Sequence, residues 1–183
     1  MREALSSQLR NVELKARVSN LSAARDVAKE IATQRLPAQR QVDTYFRCPR
    51  GRLKLREIDH RQAQLIWYDR PDQHSAKGSD YLIVDVADAA TMKGALEAAF
   101  AIAVIVAKRR EILLFENVRI HLDDVARLGS FIEFEAVLTP DCDEATGRRK
   151  VDFLQATFGV QPCDLIAGSY ADMMVTASFA APR

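Results

Sequence analysis

The chain has 183 residues, of which 48% are apolar and 28% charged, the composition of a soluble globular domain rather than of a disordered or membrane-spanning protein. Its net charge of +1 argues against binding driven by bulk attraction to nucleic acid or to an acidic membrane. It has no apolar run long enough for a membrane helix, no signal-peptide core at the N-terminus and only three widely spaced cysteines, which together predict a cytoplasmic protein.

The first half of the chain alternates between polar and apolar residues in several segments, a period typical of half-buried strands. The predicted strands are residues 11–18, 41–48, 52–58, 63–70 and 79–86. A helix capped by Ser22 and ended by Pro37 is expected after the first strand. A tight turn is expected at residues 49–51, and the polar residues 72–78 predict a mobile loop.

The second half begins with a helix for which Asp88 is the predicted cap, over residues 91–101. Three strands follow within residues 108–138, with ionisable residues at every second position. Asp141 is predicted to start a helix that Gly159 ends, and a short helix is expected around residues 169–175, followed by a frayed tail at 178–183. One domain spanning residues 1–183, with an ordered core at about 9–176, accounts for these elements.

Charge is concentrated on one face of five of these strands. The charged faces are Glu13/Lys15/Arg17, Arg52/Lys54/Arg56, Lys108/Arg110, Arg119/His121/Asp123 and Glu133/Glu135. One interpretation places these faces in solvent around a sandwich with an apolar core. The other turns them into the interior of a closed barrel, where cations on some strands and paired carboxylates on others would form a site for an anion and a metal.

Two features favour the barrel. The apolar faces of the predicted helices need a partner, and the outside of a barrel provides one. Like charges such as Arg52, Lys54 and Arg56 would stand about 7 Å apart along one strand, a costly arrangement unless anions or carboxylates neutralise it. Because most connections are short, the strands should be largely antiparallel. We therefore expect an α+β fold in which eight mostly antiparallel strands close into a barrel, with helices packed on the outside.

Several segments resemble one known family in the family's order. NVELKAR resembles the Glu-x-Glu-x-Lys signature of the CYTH superfamily, the triphosphate tunnel metalloenzymes. The similarity continues through QVDTYF, GRLKLR, LIWYDRPD, KGSDY, VAKRRE, ENVRIHLDDVARLGSFIEFEA and SYADMM, and is strongest to the class IV adenylate cyclase branch. The resemblance implies an eight-stranded tunnel, open to solvent, that binds a triphosphate with Mg²⁺ or Mn²⁺.

The resemblance also implies roles for individual residues. The cations expected to hold phosphates are Lys15, Arg52, Lys54, Arg56, Lys108, Arg110 and Arg119, and of these Lys15, Lys108 and Arg110 are expected to act in catalysis. The metal ligands implied are Glu13, Asp123, Glu133 and Glu135.

Five positions leave their roles open. Asn11 replaces the first acidic residue of the signature, and an amide oxygen ligates a hard cation without contributing charge. His121 lies on a charged face, where a structural hydrogen bond is favoured over proton transfer or phosphate contact. Tyr45, Phe46 and Tyr68 fit the core better than substrate contact.

The leading hypothesis for function is a metal-dependent, class IV adenylate cyclase-like enzyme that converts ATP to cyclic AMP and pyrophosphate. The first alternative is a triphosphatase that hydrolyses thiamine triphosphate, inorganic tripolyphosphate or a nucleoside triphosphate. The second is a module that binds nucleotide or polyphosphate without turnover, and a third is an interaction domain whose charges face water. Neither a membrane nor a nucleic acid is expected as a partner, and a homodimer is left open.

Overall fold

In the computed structural model, which describes residues 9–180, the strands form one antiparallel sheet. The strands are β1 (Leu9–Arg17), β2 (Gln34–Arg35), β3 (Gln39–Phe46), β4 (Arg52–Ile58), β5 (Gln62–Asp69), β6 (Lys77–Asp85), β7 (Ile102–Phe115), β8 (Val118–Val125) and β9 (Gly129–Val137). The helices are α1 (Leu21–Ile31), α2 (Ala89–Phe100), α3 (Glu144–Thr157) and α4 (Tyr170–Ala180), with a 3-10 helix at Pro162–Asp164.

Eight of the described strands close into a barrel because β7 pairs with both β3 and β8. The order around the barrel is β7-β3-β4-β5-β6-β1-β9-β8, and the short β2 adds to the edge of β7 through Gln34 and Arg35. Closure leaves no long unpaired edge among the strands of residues 9–180. The predicted α+β fold with an eight-stranded antiparallel barrel is confirmed.

The apolar faces of the strands lie on the outside of the barrel, beneath the helices. α1 and α3 cover one side, where Val12, Ile120 and Phe134 pack with Ala28 and Leu154. α2 covers another side, where its Met92 and Leu96 pack on the outward Leu55. Since neighbouring residues of a strand point to opposite faces, the charged positions between them point inward. The alternative of a sandwich with solvated charged faces is therefore wrong.

One end of the barrel is closed by the first turns of α4. Tyr170, Ala171 and Met174 pack against Val106 and Val125, which lie on the inward-facing side of β7 and β8. None of the helices within residues 9–180 is long and apolar enough to cross a membrane.

The caps of two helices differ from the prediction. Asn20, not Ser22, caps α1, because its side chain accepts a hydrogen bond from the Ala23 amide at 3.0 Å. Asp143, not Asp141, caps α3 by accepting one from the Thr146 amide at 2.8 Å. In both cases two polar residues stand near the start of the helix. The one that caps it lies three residues before an amide that has no acceptor within the helix. Asp88 caps α2 as predicted.

Three boundaries also differ. α1 ends at Ile31, well before Pro37, and residues 34–35 are strand rather than helix. β6 begins at Lys77, inside the predicted loop, where the Lys77 ammonium donates to the carbonyl oxygens of Gln73 and Ala167. α4 continues to Ala180, into the expected tail, and residues 181–183 of that tail lie outside the described residues.

Candidate functional site

The interior of the barrel is a cavity of about 400 Å³ lined by charged side chains of several strands. Its basic side chains are Lys15, Lys54, Arg56, Arg70, Lys108, Arg110 and Arg119, and its acidic ones are Glu13, Glu133 and Glu135. All except Arg70 were singled out from the sequence. Strands whose charges alternate with apolar residues must put those charges on one side, and closing the sheet makes that side common to all of them.

On one wall, Asp43 of β3 holds three cations. It accepts hydrogen bonds from Arg56 Nε at 2.7 Å and Nη2 at 2.8 Å, and from Lys54 Nζ at 3.1 Å. Lys108 Nζ lies 3.8 Å from the same carboxylate. Burial alone would raise the pKa of Asp43, but Arg56, Lys54 and Lys108 together hold it well below its ordinary value. Asp43 is therefore a buried carboxylate that fixes the positions of three basic side chains in the wall of the cavity.

The pKa values of Lys54 and Lys108, the two lysines of this wall, are lowered. Burial and the neighbouring Arg56 lower the pKa of Lys54 to about 8. Burial and Arg110 lower the pKa of Lys108 well below its ordinary value. An ammonium ion taken out of water loses its hydration, and nearby guanidinium groups repel it. An anion bound in the cavity would reverse both effects and favour the charged amines.

Arg110 connects this wall to the carboxylates of β8 and β9. Its Nε lies 2.7 Å from Asp123 Oδ1, and its Nη2 lies 2.5 Å from Asp123 Oδ2 and 2.8 Å from Glu133 Oε2. Tyr170 of α4 also donates to Asp123, at 2.8 Å. Asp123 is fully buried and does not line the cavity. Asp123, which the resemblance places among the metal ligands, pairs with Arg110 in this structure and lies at the end of the barrel that α4 covers.

The remaining carboxylates form a second wall on the adjacent strands β1 and β9. Glu13 lies opposite Glu135, and Lys15 lies opposite Glu133. Lys15 Nζ is 3.3 Å from Glu133, and Arg70 Nη1 is 2.8 Å from Glu13. Burial raises the pKa of Glu13, and although Arg70 opposes this, the neighbouring Glu133 adds to it. Against the effect of burial, basic neighbours lower the pKa of Glu133, Lys15 foremost, and also that of Glu135, so a cation added at this wall would replace part of their contacts.

The oxygen atoms of this wall fit a hard divalent cation. Besides Glu13, Glu133 and Glu135, the wall contains Asn11, whose Nδ2 donates to Glu135 at 2.5 Å and whose buried Oδ1 has no hydrogen-bond partner in the described chain. Carboxylate and amide oxygens are the ligands that Mg²⁺ and Mn²⁺ prefer. Within residues 9–180, however, no three acidic, histidine or cysteine side chains form a ready-made metal group. The basic side chains paired with these acids would have to yield part of their contacts to a cation.

His121 lies between two of these carboxylates. Its Nδ1 is 3.3 Å from Glu133 and its Nε2 is 3.8 Å from Glu135. Burial and the nearby Arg110 lower its pKa below the ordinary value. The contact with Glu133 agrees with the structural hydrogen bond favoured from the sequence, with the Nδ1–H of the imidazole donating, since an ionised carboxylate only accepts.

Arg52 is the expected phosphate-binding residue that does not line the cavity. Its Nη2 lies 2.6 Å from Asp72 and 3.0 Å from Asp172 of α4, so it ties the loop after β5 to the helix that closes the barrel. Arg119 lines the cavity near Glu135, although 44% of its side chain is exposed. Arg70 and Asp43 were missed. Both continue a period-2 pattern, Tyr68–Arg70 and Gln41–Asp43–Tyr45, that would have indicated inward positions.

The sequence matches the CYTH domain family over residues 9–170. No curated protein sequence matches the chain significantly.

Solved structures share the fold. The PH1012 protein of Pyrococcus horikoshii has a TM-score of 0.79 and 22% identity, covering 88% of this chain and 98% of its own. A candidate adenylate cyclase from Vibrio parahaemolyticus has a TM-score of 0.75 and 23% identity over 93% of this chain and 99% of its own. The HpAC1 protein of Hippeastrum, an adenylyl cyclase candidate described as having a dominant triphosphatase activity, has a TM-score of 0.65 and 13% identity over 93% and 95%.

Proposed function

The chain belongs to the CYTH family, and from this premise we propose that its barrel binds a triphosphate with a divalent cation and catalyses a reaction at one of the phosphates. The single observation that carries the proposal is the charge inside the barrel. Seven basic side chains line the cavity, whereas only three carboxylates do. The basic side chains still outnumber the carboxylates when the buried Asp43 and Asp123, which lie behind the walls, are included. A triphosphate bound with one divalent cation carries the opposite net charge.

The cations divide into groups that would act at different places. Lys54, Arg56 and Lys108, held by Asp43, would bind one part of the phosphate chain, and Lys15, Arg110 and Arg119 would bind the part nearest the carboxylates. Arginine forms paired hydrogen bonds to phosphate, whereas lysine acts as a point charge. Their fixed positions would stabilise the charge that develops on phosphoryl oxygens during transfer.

Glu13, Glu133 and Glu135 would hold the cation, Mg²⁺ or Mn²⁺, with Asn11 as a neutral oxygen donor. When bound, the cation polarises a phosphoryl oxygen and neutralises charge. Asp123 would act through Arg110, by fixing the direction of its guanidinium group.

The reaction proposed first is cyclisation of ATP, in which the ribose 3′-hydroxyl attacks the α-phosphate and pyrophosphate leaves. Lys108 Nζ would stay an ammonium ion beside the bound phosphates and stabilise the charge on their oxygens, and the hydroxyl proton would leave to solvent. Lys15 and Arg110 would bind the phosphates on either side of the breaking bond. This choice rests on the resemblance to the class IV cyclases.

Hydrolysis of a triphosphate is the second proposal, supported by the description of HpAC1, whose fold is similar. The two reactions differ in which phosphorus faces the nucleophile. Binding without turnover is the third, motivated by Asn11, because a site with one fewer negative charge holds a divalent cation less tightly.

A substrate panel with product identification tests these proposals. Purified protein is incubated with ATP, thiamine triphosphate or tripolyphosphate and either Mg²⁺ or Mn²⁺. Cyclic AMP with pyrophosphate supports cyclisation, orthophosphate supports hydrolysis, and saturable binding without product supports the binding module. Absence of both binding and turnover with all three would contradict the proposed function.

The metal site is tested by Glu133→Gln and Glu135→Gln, with the exposed Glu97→Gln of α2 as the matched control. We expect the first two to weaken Mn²⁺ binding by roughly 10- to 100-fold or more, and the control to leave it unchanged. The cytoplasmic location, the homodimer and the absence of a nucleic-acid partner remain predictions.

A further inference from the structure

One part of the cavity is lined by amides and aliphatic side chains instead of charges. We call this part the neutral rim and define it by Leu36, Gln41, Ile58, Gln62, Gln64 and Ile112. It crosses neighbouring strands in register, since Gln41 of β3 lies opposite Ile58 of β4, and Ile58 lies opposite Gln62 of β5. Gln62 is solvent-exposed, so the neutral rim borders the mouth of the cavity, away from the α4 residues that close the barrel.

Within the neutral rim, Gln41 has an unused hydrogen-bond acceptor. The residue is only 2% exposed, and its Nε2 donates to Gln39 Oε1 at 2.7 Å. Its Oε1 has no partner among residues 9–180. A buried carbonyl oxygen without a donor is unfavourable, and such atoms in native proteins call for an explanation.

The chemistry of this atom differs from that of the cations beside it. Gln41 is paired across the sheet with Lys108, at the boundary between the neutral rim and the charged walls. Ionised phosphate oxygens only accept hydrogen bonds, so they cannot satisfy Gln41 Oε1. An N–H or O–H group can satisfy it, and the aliphatic side chains of Ile58 and Ile112 offer a surface for an organic ring.

We propose that Gln41 is a specificity-determining residue that accepts a hydrogen bond from the organic head group of a nucleoside triphosphate, so that the site selects such substrates over inorganic tripolyphosphate. The inference rests on the proposed function and deepens it. The phosphates occupy the charged part of the cavity, and the nucleoside lies at the neutral rim. A substrate without a head group offers no donor to Gln41 Oε1 and leaves the aliphatic surface exposed to water.

The test compares the binding of two ligands to Gln41→Leu by titration calorimetry. The ligands are a non-hydrolysable ATP analogue and tripolyphosphate, each with Mg²⁺. We expect the substitution to weaken binding of the ATP analogue roughly tenfold or more, since a site loses about this much with one hydrogen bond, and to change tripolyphosphate affinity less than twofold. Gln34→Leu, at an exposed glutamine of β2 that does not line the cavity, is the control and should change neither.

The tripolyphosphate affinity of Gln41→Leu also reports that the barrel is folded. Equal affinity of the wild-type protein for both ligands, or an equal loss of both in Gln41→Leu, would overturn the inference and leave the proposed function intact. Binding of neither ligand by the wild-type protein would overturn the inference, and absence of binding and turnover of thiamine triphosphate as well would overturn the proposed function itself.

Two further analogues identify the donor. One is the triphosphate of purine riboside, which lacks the amino group of adenine, and the other is the 2′,3′-dideoxy analogue, which lacks the sugar hydroxyls. The analogue whose affinity Gln41→Leu no longer changes has lost the group that Gln41 contacts. If Gln41→Leu weakens both analogues as much as it weakens the parent ligand, Gln41 accepts from neither group and the inference is wrong.

Discussion

Asp43 and Arg56 lie directly opposite each other on β3 and β4 and form two hydrogen bonds, at 2.7 and 2.8 Å. The same carboxylate also accepts from Lys54 at 3.1 Å. Asp43 is 1% exposed, so its charge is balanced by these cations rather than by water. A single buried acid thus determines where three basic side chains stand in the cavity.

Replacing this acid should destabilise the fold. We expect Asp43→Asn to lower the free energy of unfolding by about 3–5 kcal/mol, because it leaves buried cations without their counter-ion. Urea denaturation measures the change. Asp26→Asn, at an exposed residue of α1 that pairs with Lys29, is the control and should cost less than about 0.5 kcal/mol. A loss below about 1 kcal/mol in Asp43→Asn would show that the cations are not held by this carboxylate.

Acid should remove the same stabilisation. The pKa values of Asp43 and Asp123 are both lowered in the folded protein, since in each case basic neighbours overcome the opposing effect of burial. Such groups stabilise the fold fully above the ordinary carboxylate pKa, and the contribution is lost as pH falls toward the lowered values. We therefore expect the free energy of unfolding to fall steeply below about pH 4. In Asp43→Asn the free energy of unfolding should fall less steeply with pH. An unchanged slope would contradict the conclusion that ionised Asp43 stabilises the fold.

Binding of an anion should be accompanied by proton uptake. In the free protein Lys54 has a pKa of about 8, so near this pH part of the population is neutral. A bound triphosphate favours the charged amine and raises that pKa, and Lys108 responds in the same direction. Titration of a non-hydrolysable ATP analogue without metal, at pH 8 in buffers of different ionisation enthalpy, should show uptake on the order of half a proton or more.

The corresponding control is Lys54→Met, which should take up fewer protons than the wild-type protein. As pH rises above 8, the affinity of the wild-type protein should decrease, because fewer of its lysines are charged before binding. Heats that do not depend on the buffer would mean that binding changes the protonation of neither lysine, which would contradict the prediction.

Two arginines of β4 should differ in function. Arg56 lines the cavity, whereas Arg52 ties Asp72 to Asp172 outside it. We expect Arg56→Ala to weaken triphosphate binding at least tenfold, since a charged hydrogen bond to phosphate is lost. Arg52→Ala should change affinity less than threefold and stability by about 0–1 kcal/mol. Equal losses of affinity in the two variants would show that Arg52 also binds the triphosphate.

The sequence was most informative where alternation was uninterrupted. On β1, β8 and β9 the alternation identified the inward face. Two further features, the like charges crowded along single strands and the apolar faces of the helices, indicated a closed barrel. Alternation does not determine how deep an inward residue lies along the barrel axis, which depends on strand tilt and on what covers the ends. For this reason Asp123, beneath α4, and Arg52, beside it, were expected in the cavity but do not line it.

The residues that were missed have a related explanation. Asp43 and Arg70 each stand among neutral inward residues, so no run of charges marked their strands. Their importance comes from partners on other strands, Arg56 and Glu13, and such pairs become visible only once the register is known.

The central claim is that the charged interior of the barrel holds a triphosphate and its metal. The most direct measurement is a crystal structure with a non-hydrolysable ATP analogue and Mn²⁺, whose anomalous scattering locates the ion. We predict phosphates within hydrogen-bond distance of Lys54, Lys108 and Arg110, and Mn²⁺ bound by Glu133 or Glu135. An analogue bound on the outer surface, with the interior salt bridges unchanged and Mn²⁺ absent from those carboxylates, would contradict the claim.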